Sequence, residues 1–121
     1  MSALVWVGVV VLGGVGAVLR FLVDREIAGR VGRAFPYGTL VVNLSGAVVL
    51  GLLTGLALPH TQALLAGTAT VGAYTTFSTW MFETQRLGED HQVRGLVSNI
   101  VVSLVLGVAA AAAGRWLGGI L

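Results

Sequence analysis

Hydroxyl side chains are concentrated in the third apolar segment of the chain. Four of the five residues from 75 to 79 carry one: Thr75, Thr76, Ser78 and Thr79. Each hydroxyl could bond a carbonyl one turn earlier and merely bend a helix. Alternatively, together with Gly67 and Gly72, they mark a helix break. A break at membrane depth exposes backbone groups only inside protein or along a cavity, where freed carbonyls commonly hold a cation.

Neutral polar side chains also lie inside the second and fourth apolar segments. Asn43 follows Thr39 by one helical turn, and Asn99 precedes Ser103 by one turn on the same helix face. These groups could bond across a helix interface, as polar residues in membrane bundles do. They could instead line a path, where the Asn43 amide would donate to a permeating anion. Three segments can thus offer uncharged polar groups to one pathway.

Two aromatic residues and one arginine complete the set of candidate residues. Phe77 and Trp80 are three residues apart and share a helix face. They could pack in a core, with Trp80 in an interfacial belt, or present their positive ring edges to an anion. Arg20 ends the first apolar run, where it could extend to the interface or attract anions into a vestibule.

The composition indicates that these residues are held by membrane helices. Of 121 residues, 56% are hydrophobic and 10% are charged, against about 25% charged in soluble domains. Crossing a bilayer takes about 20 helical residues, and four apolar segments have about that length. We expect an all-α integral membrane protein, with residues 1–121 as a single domain and crossings at Ala3–Val23, Tyr37–Leu58, Thr61–Leu87 and Gly95–Leu117.

Several function classes fit the sequence poorly. The seven Arg residues form no stripe that could follow a nucleic acid, and there is no Cys for thiolate metal sites. A small four-helix drug or cation exporter is one alternative, but it predicts an acid in the first segment, and none occurs between Ala3 and Val23. A non-transporting packing subunit is another, and it leaves the hydroxyl cluster unexplained. We predict no catalytic residues and no enzymatic activity.

Four motifs, in order along the chain, resemble the small bacterial fluoride channels of the Fluc, or CrcB, type. They are GGVGAVLRF at 13–21, YGTLVVNLSG at 37–46, GAYTTFSTWMFE at 72–83, and Asn99, Ser103 and Gly107 in the last segment. The match covers nearly the whole chain, and its TTFST core is specific. Two positions depart from the family pattern: Trp80 stands where a second pore Phe is expected, and Gly107 stands where some members carry a hydroxyl.

The resemblance implies a channel in the bacterial inner membrane that lets cytoplasmic fluoride leak out passively and so lowers its toxicity. It implies a break in the third helix, an antiparallel dual-topology dimer with two fluoride pores, and a central structural sodium ion that is not transported. Gly72 and Thr75 would hold the sodium through backbone carbonyls, and Arg20 would lie at the vestibule. The implied pore residues are Asn43, Phe77, Trp80, Thr76, Ser78, Thr79, Asn99 and Ser103.

The distribution of arginine indicates which kind of subunit could complete the dimer. The first and third connections carry Arg25, Arg30, Arg33, Arg86 and Arg94, whereas only Arg115 lies toward the opposite side. The positive-inside rule then favours one orientation, with both termini outside. A strict dual-topology homodimer should carry little such bias. We therefore consider two partners, a second copy of the chain and an oppositely oriented paralogue.

Overall fold

The structure is a computed structural model that describes residues 1–121, and it is entirely helical. One π-helix, π1, lies among six α-helices. The helices are α1 (Ala3–Val31), α2 (Tyr37–Leu56), α3 (His60–Ala63), π1 (Leu64–Val71), α4 (Gly72–Tyr74), α5 (Ser78–Glu89) and α6 (Val93–Ile120).

Three helices, α1, α2 and α6, are long and apolar enough to cross a membrane. They correspond to the first, second and fourth predicted segments. The main difference is in α1, which continues eight residues beyond the predicted Val23. Charged residues do not stop a helix, and Arg30 pairs with Glu26 one turn earlier at 2.8 Å. The helix ends at Val31, and the φ of +78° at the next residue, Gly32, favours a residue without a side chain.

The third predicted segment is built from shorter pieces. Helical backbone runs without interruption through α3, π1 and α4, from His60 to Tyr74, and resumes in α5 at Ser78. Residues 75–77 between them are not helical, and Thr75 is extended, with ψ of 161°. No single α-helix in this segment has the length of a crossing.

Glycines hold α2 and α6 together. Gly51 and Gly55 of α2 face Gly114 and Gly118 of α6 so closely that a Cβ on any of the four would strike backbone atoms of the opposite helix. Small residues at four-residue intervals permit this approach in lipid, where van der Waals contact drives helix association. The two glycine pairs, one on each helix, therefore form the two sides of one glycine seam.

The helix α1 supports the interrupted segment from the other side. At Gly16, which is buried, a side chain would strike the carbonyl of Thr70 in π1. This close contact brings the helix backbones of α1 and π1 together four residues before Arg20. Both α1 and α2 contact π1 and α4, the helices that precede the non-helical residues 75–77.

Candidate functional site

The side chain of Asn43 holds the backbone of Thr76 by two hydrogen bonds. Asn43 Nδ2 donates to the Thr76 carbonyl at 2.9 Å, and Thr76 N–H donates to Asn43 Oδ1 at 2.8 Å. In a continuous helix, that Thr76 N–H would instead donate to the carbonyl of Gly72, four residues earlier. The amide of Asn43 thus replaces a helical partner and stabilises the interruption.

The interruption leaves backbone groups without helical partners on both sides. Before it, the Gly72 carbonyl loses its donor to Asn43, and the Ala73 carbonyl receives no hydrogen bond from Phe77 N–H. After it, α5 begins at Ser78, and its first turn is capped by Thr76 Oγ1, which accepts from Thr79 N–H at 3.1 Å. Carbonyls at a helix end attract cations, and amides at a helix start attract anions.

Five predicted pore residues and ligands meet around one open cavity of about 290 Å³. They are Asn43, Thr75, Thr76, Phe77 and Trp80. Of the other three lining residues, Gly46, Ala47 and Leu50, none is charged. The cavity thus combines aromatic rings with neutral polar groups at the point where the third segment is interrupted.

The Phe77 and Trp80 rings stand almost perpendicular to each other. Their centroids are 5.7 Å apart and their planes meet at 81°, an edge-to-face arrangement. Phe77 is 70% exposed, so its ring projects from the single chain at the interruption. Trp80 is half-buried, and its indole Nε1 donates to the Asn99 carbonyl at 3.0 Å.

Asn99 has its side chain in the contact between α5 and α6. It is 1% exposed, and its Nδ2 donates to Thr84 Oγ1 at 2.9 Å. Its side chain does not line the 290 Å³ cavity. Ser103, one turn further along α6, is half-buried, and Ser78 is exposed in the first turn of α5. These two hydroxyls lie apart from the cavity.

Arg20 lies beside a second pocket, of about 240 Å³, between α1, α2 and the interruption. It donates from Nη1 to the Thr75 carbonyl at 3.4 Å. The pocket is lined by Arg20 together with Ala17, Phe21, Asp24, Thr39, Val42, Thr76 and Thr79. Thr76, which is buried, lines both cavities.

Two polar contacts near the site were missed by the sequence-based assignment. Thr39, which is 3% exposed, donates its hydroxyl to Glu83 Oε1, and Tyr74 pairs with Ser45 through their hydroxyls at 2.9 Å. The spacing of Thr39 before Asn43 was a signal for the first contact, because residues one turn apart share a helix face. Nothing in the sequence indicates which residue of α4 meets Ser45.

Comparison with known proteins shows which family the chain matches. The family described as CrcB-like protein, Camphor Resistance (CrcB) matches residues 7–115. The chain is similar to the fluoride-specific ion channel FluC 2 of Mycobacterium tuberculosis, with 63% identity over 97% of this chain and 93% of the relative. It is 68% identical to FluC 2 of Mycolicibacterium paratuberculosis, over 93% of each chain, and 42% identical to FluC 1 of Leifsonia xyli, over 99% of this chain and 90% of that protein.

Proposed function

Because this chain belongs to the CrcB family, a family of ion channels and not of enzymes, we propose that it conducts fluoride passively across a bacterial membrane. Its apolar helices make it a multi-pass membrane protein. Passive flow out of the cell would lower the toxicity of accumulated fluoride. The observation that carries the proposal is the interrupted third segment, which gathers an amide, hydroxyls and aromatic rings at one cavity.

The chemistry of this cavity suits a small anion. Asn43 has a second Nδ2 hydrogen that is not used by the Thr76 carbonyl, and the free amides at the start of α5 add partial positive charge. None of the eight lining residues is acidic. Neutral donors and ring edges attract an anion but hold it less tightly than a fixed charge would. Conduction requires such weak binding, because the ion must also leave the site.

The third segment has enough helix to cross the bilayer in two halves. Fifteen residues from His60 to Tyr74 and twelve in α5 would together span about 40 Å at about 1.5 Å per residue. A bilayer core is about 30 Å thick. We infer that this segment is a fourth crossing, with its interruption at membrane depth.

An interruption at that depth requires cover from a second subunit. Phe77 is 70% exposed in the single chain, and Ser78 and Thr79 are exposed beside it. Lipid does not tolerate exposed irregular backbone, whereas a protein interface or a water-filled path does. An antiparallel dimer would cover two such interruptions and create two pores. The partner is either a second copy or an oppositely oriented paralogue, and the arginine bias of this chain favours the paralogue.

The backbone before the interruption also fits a structural sodium ion, which the family resemblance implies. Gly72 offers a carbonyl that has lost its helical donor, and hard cations prefer oxygen ligands. The Thr75 carbonyl accepts a long hydrogen bond from Arg20 Nη1, at 3.4 Å, so a sodium ion would compete with this guanidinium for the oxygen. Gly72 and Thr75 would hold the ion, which would neutralise carbonyls gathered between two subunits.

The direct test is release of fluoride from liposomes that contain only this chain, followed with a fluoride electrode beside chloride-loaded vesicles. Rapid fluoride release without chloride release is the expected result, and it would establish that a homodimer suffices. No release would require co-reconstitution with an oppositely oriented paralogue. If folded protein still released no fluoride, the proposed function would be wrong.

Phe77→Ile tests whether the exposed ring at the interruption belongs to the pathway. The substitution keeps an apolar side chain but removes the ring edge that an anion would meet, so we expect fluoride release to fall by about tenfold or more. Phe82→Ile is the matched control, because Phe82 is 68% exposed on α5 but does not line the cavity. Equal loss in both variants, or in neither, would contradict the assignment of Phe77.

A further inference from the structure

Trp80 lines the cavity, and its indole N–H already donates to an acceptor within the protein. An indole N–H beside an anion pathway would be a natural ligand for the ion. Here Nε1 instead lies 3.0 Å from the Asn99 carbonyl in α6 and donates to it. The donor therefore joins α5 to α6.

The hydrogen bond of the indole is part of a closed ring of three hydrogen bonds. Asn99 Nδ2 donates to Thr84 Oγ1 at 2.9 Å, and Thr84 Oγ1 donates to the Trp80 carbonyl at 2.8 Å. The third bond, from the indole, returns to Asn99. Thr84 and Asn99 are 8% and 1% exposed, so the bond between them is buried, and the two bonds that involve Trp80 are partly buried. Buried polar groups that are fully satisfied in this way fix one arrangement of their side chains.

The consequence for the pathway lies at Phe77. Trp80 meets Phe77 edge-to-face at 5.7 Å, and Phe77 itself makes no other aromatic contact. An indole that cannot rotate limits the orientations open to the ring packed against it. The hydrogen bond from Trp80 to α6 therefore also restricts the orientation of Phe77, the aromatic side chain that projects from the interruption.

We propose that Trp80 is a positioning residue, which the Thr84–Asn99 pair locks so that it orients Phe77, and that the indole N–H does not bind the permeating anion. This inference rests on the proposed function, because it assigns a role within that same pathway. It distinguishes this chain from members in which a second Phe is expected at position 80.

The indole N–H can be observed directly by NMR in a channel that has one tryptophan. Trp6→Phe and Trp116→Phe remove the other two indoles, which are 56% and 64% exposed and lie away from the site. With fluoride added, we expect the Trp80 ¹H–¹⁵N indole resonance to stay in place and its hydrogen to exchange slowly with D₂O. A resonance that moves with fluoride and not with chloride would overturn the proposal, because it would identify the indole as an ion ligand.

Thr84→Val opens the ring of hydrogen bonds while keeping the shape of the side chain. We expect the indole resonance to move and fluoride release to fall by a factor of about three or more, because the two hydrogen bonds of the Thr84 hydroxyl, from Asn99 and to the Trp80 carbonyl, are both lost. Thr84→Ser restores the hydroxyl and should restore both. Thr54→Val is the matched control, because Thr54 Oγ1 also bonds a carbonyl one turn earlier, at 2.9 Å, but contacts no second helix through it.

The outcomes separate this inference from the proposed function. If the unmodified chain conducts fluoride but Thr84→Val changes neither resonance nor release, the positioning role is wrong and the channel stands. If Thr84→Val lowers release and Thr84→Ser does not rescue it, the hydroxyl is not the cause and the positioning role is again wrong. If the unmodified chain and its paralogue complex conduct no fluoride, the proposed function fails, whatever the indole resonance does.

Discussion

Asn43→Leu removes both hydrogen bonds that hold Thr76 out of the helical ladder, and it leaves a side chain of similar size. The interrupted backbone then loses two bonds of about 1 kcal/mol each. A continuous helix loses neither, because its Thr76 N–H donates to the Gly72 carbonyl instead. The interrupted form is thus disfavoured by about 2 kcal/mol relative to the continuous one, a factor of about 30 in their ratio.

A continuous helix would cover the Gly72 carbonyl, which is proposed to hold the sodium ion, and the amides at the start of α5, which are proposed to attract the anion. We therefore expect fluoride release from liposomes to fall by up to about 30-fold, and amide hydrogen exchange at Phe77 and Ser78 to slow as the ladder closes. Gln85→Leu is the control for loss of an amide, because Gln85 bonds only the exposed Glu89, at 3.1 Å. If Asn43→Leu left both fluoride release and amide exchange unchanged, Asn43 would not be the residue that stabilises the interruption.

Two further outcomes follow from the packing and from the proposed cation. Gly114→Val should lower the free energy of unfolding in detergent by about 3 kcal/mol or more, because a side chain there strikes the Val48 carbonyl. Gly119→Val is the control, because its side chain enters open space and should leave the free energy of unfolding nearly unchanged. Replacing sodium with a large organic cation in every buffer should reduce fluoride release if Gly72 and Thr75 hold a structural ion, and full release after prolonged exchange would contradict that site.

The sequence predicted the long helices well because their signals are local. Runs of about twenty apolar residues indicated three helices that the structure contains. The predicted crossing at Ala3–Val23 stopped before Asp24, Arg25 and Glu26, whereas the helix that contains it is longer. Charge limits burial in lipid but does not limit a helix, and α1 continues to Val31.

The contacts within the site were harder to predict because they depend on which elements meet in space. Asn43 was predicted to bond across an interface or to offer its amide to an anion, and the structure gives it the Thr76 backbone as a partner. The bond from Trp80 to Asn99 has no sequence signal at all, since a backbone carbonyl can accept at any residue. The π-helix was likewise unforeseen; an i to i+5 ladder follows no side-chain pattern.

The glycine seam has a consequence for how the chain is made. The helix packed most closely against α2 is α6, which follows it by more than thirty residues in the chain, so residues 37–56 leave the ribosome before residues 93–120 are made. Until then, the flat face of Gly51 and Gly55 has only lipid or the insertion machinery against it. A chain that stops before Val93 therefore leaves α2 without its partner, and α2 can complete its packing only after residues 93–120 have been translated.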